Sequence, residues 1–284
     1  MKTFICGCVR NCEPHIDGVF DTINRIRTVF NDIHIIVAYD QSNDKSLLKL
    51  SQHKRIYGDK MDVLINRNPL SLRRTENIAN ARNAILDRMR VLRELEGGDE
   101  CPDWRIFIMM DFDDVCSAPP NLDVLTRTLN REAEWDSVSF NRPGYYDVWA
   151  VSLRPFVYSA WGWDDPREVV NIMRNYVVEK LNGLKPDEWL KCESAFNGFA
   201  LYKTSIFLKC RYNWRRPLEF ISVADLNANR EAVGFRRARS PLDKQTDEPD
   251  CEHRWFHMSA IRQYGARIWI SPEFLFSHAI YGHA

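Results

Sequence analysis

A run of five apolar residues in the middle of the chain leads directly into three carboxylates. Residues 106–110 are predicted to form a buried strand, and Asp111, Asp113 and Asp114 follow it. Parallel strands present polar residues at their C-terminal ends, where open α/β sheets bind ligands. Crowded carboxylates repel one another unless a cation lies between them, and oxygen ligands at short spacing suit Mg²⁺ or Mn²⁺. The motif predicts a platform for a metal-bound diphosphate, with a solvated acidic turn as the alternative.

The first half of the chain alternates between strand-like and helix-like hydrophobic periodicity. Strands are predicted over residues 3–9, 33–38, 61–65 and 106–110. One helix is predicted over residues 13–30, a short second helix ends at residue 50, and a third helix begins at residue 75. This order is typical of a doubly wound, mainly parallel sheet. Neither G-x-G-x-x-G nor a P-loop occurs, so the dinucleotide and ATP fingerprints do not apply.

The second half is less regular. Strands are predicted over residues 137–140, 146–151, 199–202 and 267–270, and helices over residues 167–181 and 255–264. Residues 236–250 are polar, and we expect a mobile loop that becomes protease-resistant when ligands bind. Nothing in the sequence divides the chain into separate domains.

Charge balance excludes several classes of protein. Lys and Arg number 39, as do Asp and Glu, so no global field attracts nucleic acid or an anionic membrane. The apolar run over residues 3–9 is too short to span a bilayer.

Eight cysteines without a signal peptide predict free thiols in a reducing compartment. Zinc binding by Cys6, Cys8 and Cys12 is the alternative, but no second Cys/His pair completes that site nearby.

Arg82 is a candidate ligand-binding residue. Helical spacing places it beside Ile78 and Ile85, at the edge of the apolar stripe, so we expect partial burial. A buried guanidinium needs an anionic partner, and no acid lies three or four positions away. Its fork suits diphosphate oxygens. The alternative is an arginine whose head group extends to solvent.

Several short motifs, in order along the chain, resemble known glycosyltransferases. The chain is similar to the GT-A glycosyltransferase pattern at the following motifs: Arg10-Asn11-x-Glu13, Ala81-Arg82-Asn83, Asp111-x-Asp113-Asp114, and Glu252-His253-x-x-Phe256 with Arg262, Gly265, Ile268 and Pro272 after it. The chain also resembles a narrower family, the fungal capsule (CAP59-like) mannosyltransferases, at Tyr146-Asp147-Val148-Trp149 and Phe196-Asn197-Gly198-Phe199. The likeness extends over most of the chain.

The resemblance implies a single GT-A-like, Rossmann-related α/β domain with a mostly parallel central sheet flanked by helices. Residues 1–118 would form the nucleotide-sugar-binding half and residues 119–284 the acceptor-binding half. The implied enzyme is a hexosyl- or pentosyltransferase. It moves a sugar from a UDP- or GDP-linked donor to a glycan hydroxyl, in the cytoplasm or on a cytoplasmic membrane face.

The same resemblance assigns donor-site residues. Asp113 would ligate Mn²⁺ or Mg²⁺, Asp111 would bind the ribose or a metal-bound water, and His278 would supply a further ligand that favours Mn²⁺. Asp40 follows the second strand and would accept a hydrogen bond from the base, with turn capping as the alternative. Arg10, together with Asn11, would line the nucleotide slot.

The acceptor side offers three carboxylates as the catalytic base. Glu252 is the first choice. Inverting members of the family have a Glu-Asp pair on the acceptor-side helix as the source of the base, whereas this chain has Glu252-His253 at that position. Asp147 and Glu193 are the other candidates, and each could instead cap a helix. Sugar rings stack on aromatic side chains, and six aromatics cluster within twenty residues: Tyr145, Tyr146, Trp149, Tyr158, Trp161 and Trp163. We expect Trp161–Asp165 to be an acceptor-binding loop, with core packing as the alternative.

Two other classes of protein fit parts of the pattern. A haloacid-dehalogenase-type phosphatase would use Asp111 as nucleophile and Asp113 as acid/base. Its motif normally follows the first strand, whereas three predicted strands precede it here. A non-catalytic sugar-nucleotide-binding module on the same fold would bind donor without hydrolysing it.

Overall fold

We analysed a computed structural model, which describes residues 1–98, 103–234 and 248–278. One sheet of eight strands runs through the described part of the chain. Its strands are β1 (Lys2–Val9), β2 (Asp32–Tyr39), β3 (Met61–Ile65), β4 (Ile106–Met110), β5 (Ser137–Asn141), β6 (Leu190–Cys192), β7 (Phe199–Lys203) and β8 (Ile268–Phe274). The helices are α1 (Ile16–Ile26), α2 (Ser46–Tyr57), α3 (Arg74–Leu95), α4 (Leu122–Asn130), α5 (Pro166–Asn182), α6 (Thr204–Phe207), α7 (Val223–Val233) and α8 (Glu252–Tyr264).

The strand order across the sheet is β3-β2-β1-β4-β7-β5-β8-β6. The first four pair in parallel, as a doubly wound sheet requires. β7 is antiparallel to both β4 and β5, and β6 is antiparallel to β8, while β5 and β8 are parallel. The sheet is therefore mostly parallel and continuous, which confirms the predicted α/β class and the single domain.

Strand alternation divides the apolar residues between the two faces of the sheet. Phe4 and Phe107 pack on one face, in a cluster that includes Met89 of α3. Ile5 and Ile108, the next residue in each strand, pack on the other face. Because β1 and β4 are buried on both faces, they read as continuous apolar runs, and this made their positions predictable.

The strand predicted over residues 146–151 is wrong. Gly144 (φ 76°) and Tyr145 (φ 43°) form a left-handed turn, and the Val148 amide then bonds to the carbonyl of Tyr146 at 3.2 Å. The buried Arg254 of α8 donates to the Val151 carbonyl at 2.7 Å. This segment satisfies its backbone groups through turns and a guanidinium, so its aromatic pattern resembles a strand without forming one.

Helix boundaries differ from the sequence expectation where loops contact each other. α1 begins at Ile16, because the Cys12 and Glu13 amides bond to the side chains of Ser46, at the start of α2, and Asp44, just before it, at 2.9 Å each. α4, α7, α6 and the short β6 were not predicted. Asn121 and Ser222 cap α4 and α7 through their side chains, and this capping signal was available in the sequence.

Most of the predicted loop over residues 236–250 lies outside the described residues, as do residues 279–284. Within the described ranges, no helix is both long and apolar enough to cross a membrane. The seven cysteines in these ranges are all free thiols.

Candidate active site

The C-terminal ends of β1, β2 and β4 open into a cavity of about 250 Å³. α3 forms one wall, and the start of α8 and the turn after residue 144 close the others. The polar and charged lining residues are Arg10, Asp40, Arg74, Asn77, Arg82, Asp111, Asp113, Tyr146, Asp147, Glu252 and His253. The edge of the sheet predicted to bind a ligand therefore carries the cavity.

Asp111 and Asp113 are held by the backbone directly after β4. The Asp111 amide donates to the Gly198 carbonyl at 2.9 Å. The Asp113 carboxylate accepts the Val115 amide at 3.0 Å and so caps the short 3₁₀ turn Asp114–Cys116. Gly198 has a φ of 84°, and a Cβ there would lie 2.2 Å from Val115. Only glycine allows this close approach behind the two carboxylates.

Burial disfavours the charged form of both acids. Burial, and then the neighbouring Asp113 carboxylate, raise the pKa of Asp111 well above its usual range. Burial also raises the pKa of Asp113, against the hydrogen bond from the Val115 amide. A cation that binds between the two carboxylates would favour their charged form.

Arg82 lies in the interior of α3, and only 6% of its surface is exposed. Its Nη2 lies 3.5 Å from Asp111 Oδ1, and its Nη1 contacts both Glu252 Oε1 and His253 Nε2. The Phe196 ring lies 4.8 Å from the guanidinium carbon. The predicted burial and the need for an anionic partner are thus met, and the partners come from the residue after β4 and from the start of α8.

The face of α3 that carries Arg82 also lines the cavity through Arg74, Asn77, Ile78 and Ala81. These positions are spaced by three and four residues, so they form one helical stripe. We did not single out Arg74 and Asn77 from the sequence. The signal that locates them is the helical periodicity counted back from Arg82.

Asp147 lies in the cavity wall, on the turn that was predicted to be a strand. Its amide donates to Asn197 Oδ1 at 3.0 Å, and its carboxylate accepts the Ala150 amide at 3.2 Å. Asn197 is itself left-handed, with a φ of 54°. Burial raises the pKa of Asp147 to about 6, which is near the value that suits a general base.

The other two predicted bases have different surroundings. Glu252 lines the cavity, and its carboxylate contacts the Arg82 guanidinium. Glu193 is not among the cavity-lining residues, and it pairs with Arg154 at 2.7 Å. The structure therefore brings Glu252 and Asp147 to the site and places Glu193 outside the cavity.

The two predicted nucleotide-side residues after β1 and β2 both line the cavity. Asp40 accepts a hydrogen bond from Asn66 Nδ2 at 2.8 Å and is buried. Arg10 is exposed at the cavity edge. Asn11 is absent from the described lining. It joins two loops, because its carboxamide oxygen accepts the Asn43 amide at 2.8 Å.

His278 lies beside the acidic turn. Its Nε2 is 3.1 Å from the Asp114 carbonyl oxygen, and its buried Nδ1 has no hydrogen-bond partner within the described ranges. No cluster of three or more His, Cys, Asp or Glu side chains that could hold a metal ion occurs in those ranges. Two carboxylates at the end of a strand nevertheless fit Mg²⁺ or Mn²⁺, which commonly bind one or two carboxylates together with substrate phosphates.

The six clustered aromatics have three kinds of surroundings. Tyr145, Tyr158 and Trp163 are buried in the core, as the packing alternative requires. Tyr146 and Trp149 line the cavity. Trp161 is 45% exposed, and its ring packs edge-on against Trp149 with a centroid distance of 5.7 Å. An aromatic surface therefore extends from the cavity to solvent.

Three solved structures are loosely similar to this chain. Staphylococcus aureus TarS has 13% identity and a TM-score of 0.47, over 99% of this chain and 37% of its own. The mannosyltransferase PcManGT from Pyrobaculum calidifontis, in complex with GDP-Man and Mn²⁺, has 13% identity and a TM-score of 0.41, over 74% and 47%. Glucosyl-3-phosphoglycerate synthase from Mycobacterium tuberculosis, in complex with UDP, has 14% identity and a TM-score of 0.40, over 72% and 58%.

This chain therefore matches between 37% and 58% of the length of those three proteins. No family model and no curated protein sequence matches the chain. Overlaps this loose assign no activity to the chain.

Proposed function

We propose that this chain is a glycosyltransferase that moves a sugar from a nucleoside-diphosphate sugar to a glycan hydroxyl. The observation that carries the proposal is the buried Arg82 guanidinium, 3.5 Å from Asp111 at the end of β4. A cation and a pair of carboxylates at one edge of the sheet suit a diphosphate.

The leaving diphosphate gains negative charge as the glycosidic bond breaks. Arg82 donates hydrogen bonds from a fixed position, so it stabilises that charge without rearranging during the reaction. Asp111 and Asp113, with His278 beside them, are the residues that would hold Mn²⁺ or Mg²⁺. A divalent cation bound there would neutralise diphosphate oxygens.

The nucleoside belongs beside β1 and β2 in this proposal. Arg10 and Asp40 lie at the cavity edge there, and Asp40 holds a fixed orientation through Asn66. Residues 1–118 then bind the nucleotide sugar, and most of the acceptor wall comes from residues 119–284. The capsule mannosyltransferases remain the family that we propose on sequence motifs alone.

The acceptor hydroxyl belongs beside Asp147. We assign Asp147 the role of general base, because its pKa of about 6 leaves it ionised at neutral pH yet able to take a proton. Glu252 contacts Arg82 and is assigned to hold that guanidinium in place. Trp149 and Trp161 offer stacking surfaces for an acceptor sugar ring.

The phosphatase alternative is less well supported by the same geometry. Its motif normally follows the first strand of the core, whereas β1, β2 and β3 all precede Asp111 in this chain. The non-catalytic module differs from the enzyme only in turnover, so an activity assay separates the two.

The test is release of nucleoside diphosphate from UDP- and GDP-linked hexoses and pentoses with Mn²⁺, with and without methyl hexosides as acceptors. The same assay is run on the variant Asp111→Asn, which removes the negative charge but keeps a side chain of nearly the same size. We expect release from one donor, stimulation by one acceptor, and loss of both in Asp111→Asn. Donor binding without release would indicate the binding module, and equal release by the variant would contradict the site.

A further inference from the structure

Four buried polar side chains connect Arg82 to the protein core. His253 Nε2 contacts Arg82 Nη1, and His253 Nδ1 lies 3.4 Å from the Tyr202 hydroxyl. The same hydroxyl lies 3.0 Å from His257 Nε2, and His257 Nδ1 lies 2.9 Å from Ser194 Oγ. Each of the four is at most 1% exposed. Tyr202, His257 and Ser194 do not line the cavity.

The direction of each contact in this series of residues follows from hydrogen-bond chemistry, together with the requirement that every buried polar hydrogen is paired. Arg82 can only donate, so His253 Nε2 must accept. A neutral imidazole has one N–H, so His253 donates through Nδ1 to the Tyr202 oxygen. The Tyr202 oxygen could also accept from His257, but its own proton would then have no partner among the described residues. Pairing that buried proton makes His257 Nε2 the acceptor. His257 must therefore donate from Nδ1 to Ser194.

The protonation states agree with this direction. Burial, and then the positive charge of Arg82, lower the pKa of His253 well below its usual range. Burial and the same guanidinium lower the pKa of His257 to about 3. Both rings are therefore neutral at neutral pH, as a directed chain of donors and acceptors requires.

We propose that Tyr202, His257 and Ser194 are positioning residues that fix the His253 tautomer and thereby hold Arg82 in the cavity. With the opposite tautomer, an N–H on Nε2 would face the guanidinium, and two donors would meet in a buried place. The effect on donor affinity rests on the proposed function, whereas the tautomer assignment does not.

The first test is the tautomeric state in the full chain, measured by long-range ¹⁵N–¹H NMR on ¹⁵N-histidine-labelled protein at pH 7.5. His253→Gln and His257→Gln each remove one set of signals and so assign the two rings. We expect both rings to be neutral and protonated on Nδ1. Protonation of either ring on Nε2, or an imidazolium, would overturn the proposal.

The second test is binding of UDP and GDP, with Mn²⁺, by calorimetry. Tyr202→Phe removes one hydroxyl and keeps the ring, and we expect a loss of affinity of about three- to tenfold. The control is Tyr145→Phe, since that buried hydroxyl has no hydrogen-bond partner among the described residues and Tyr145 is not among the cavity-lining residues. We expect its affinity to equal that of the wild type.

A conservative pair at His253 separates positioning from packing. His253 stacks on Phe196 with a centroid distance of 3.9 Å, and His253→Phe keeps an aromatic ring there without an acceptor. His253→Gln keeps both an acceptor and a donor. We expect glutamine to retain more nucleotide affinity than phenylalanine.

Equal affinities in the two His253 variants, or a Tyr202→Phe protein that melts lower yet binds like the wild type, would contradict the positioning role. If Tyr202→Phe does not fold, the NMR result on the wild type still decides the proposal. If the wild type binds no nucleotide, the proposed function fails, and the tautomer measurement remains decisive for the directed chain.

Discussion

Arg82 and Glu252 are 170 residues apart in sequence, and they form an ion pair in which the side chains are only 7% and 5% exposed. The pair joins α3 to the first turn of α8. Arg82 also faces Asp111, directly after β4, so one guanidinium connects three parts of the chain at the cavity. Removing one partner of such a pair leaves an uncompensated buried charge.

Arg82→Lys tests the fork geometry. Lysine keeps the charge, but one ammonium cannot reproduce the contacts to Asp111, Glu252 and His253. We expect the free energy of unfolding in urea to fall by about 2–4 kcal/mol. Donor affinity should fall about 10- to 100-fold, since a charge-assisted hydrogen bond contributes roughly 1.5–3 kcal/mol.

Arg88→Lys is the matched control on the same helix. Arg88 pairs with Asp62 at 2.8 Å but is 34% exposed, so its replacement should cost less than about 1 kcal/mol and leave donor affinity unchanged. A similar response of both variants would refute a special role for Arg82.

Asp147→Asn tests the catalytic base through stability as well as activity. The folded-state pKa of Asp147 is raised to about 6, so the folded protein binds the proton more tightly than the unfolded chain. The stability that this proton contributes is present at low pH and is lost as the pH rises to about 6. Above pH 6 the charged carboxylate destabilises the fold.

We therefore expect Asp147→Asn to raise the free energy of unfolding at pH 7.5 by about 1–3 kcal/mol, since each pKa unit is worth about 1.4 kcal/mol. The gain should shrink toward pH 4. Turnover should fall at least about 100-fold. Asp62→Asn is the contrasting control, because Asp62 pairs with Arg88 and His34, and its replacement should lower stability. Full turnover in Asp147→Asn would assign the base elsewhere.

Gly198→Ala tests the backbone support of the carboxylates. The left-handed conformation costs an alanine about 1–2 kcal/mol, and the clash with Val115 adds to that cost. Gly144→Ala is the control, since its φ is also positive at 76° but nothing lies within 4 Å of the added Cβ. We expect urea denaturation to show the larger loss for Gly198→Ala, together with weaker donor binding. Equal losses would mean that contact with Val115 is unimportant.

Trp161→Ala tests the acceptor surface. Stacking of a sugar on an aromatic ring is worth roughly 0.5–1.5 kcal/mol, so the KM for methyl hexosides should rise about 3- to 10-fold with donor KM unchanged. Tyr264→Ala is the control, because Tyr264 is similarly exposed, at 42% against 45%. It lies at the far end of α8 from Glu252 and should have no effect. An unchanged acceptor KM in Trp161→Ala would remove this residue from the acceptor site.

The sequence was most informative where burial dictates residue type. β3 and β4 have the predicted boundaries, and β4 delivers Asp111 and Asp113 to the expected edge of the sheet. The position of Arg82 beside Ile78 and Ile85 also predicted its burial. Strong local periodicity fixes these features without knowledge of distant contacts.

The remaining parts of the site depend on contacts between segments far apart in sequence. The pairing of Arg82 with Glu252 leaves no local signal. Asp147 reaches the cavity because Asn197 and Arg254 hold its loop in turns, whereas its aromatic pattern resembled a strand. Glu193 pairs with Arg154 outside the cavity, which spacing alone did not indicate.

The most direct measurement is a thermal-shift panel of UDP- and GDP-sugars, with and without Mn²⁺, on the wild type and Asp113→Asn. Asparagine keeps an oxygen that can cap the Val115 amide, so this variant should remain folded. A donor at about 100 times its Kd stabilises the native state by about 2.7 kcal/mol, or roughly 5 °C in Tm. We predict this rise for one donor, only with Mn²⁺ and only in the wild type. No shift with any donor, or an equal shift in Asp113→Asn, would contradict the account.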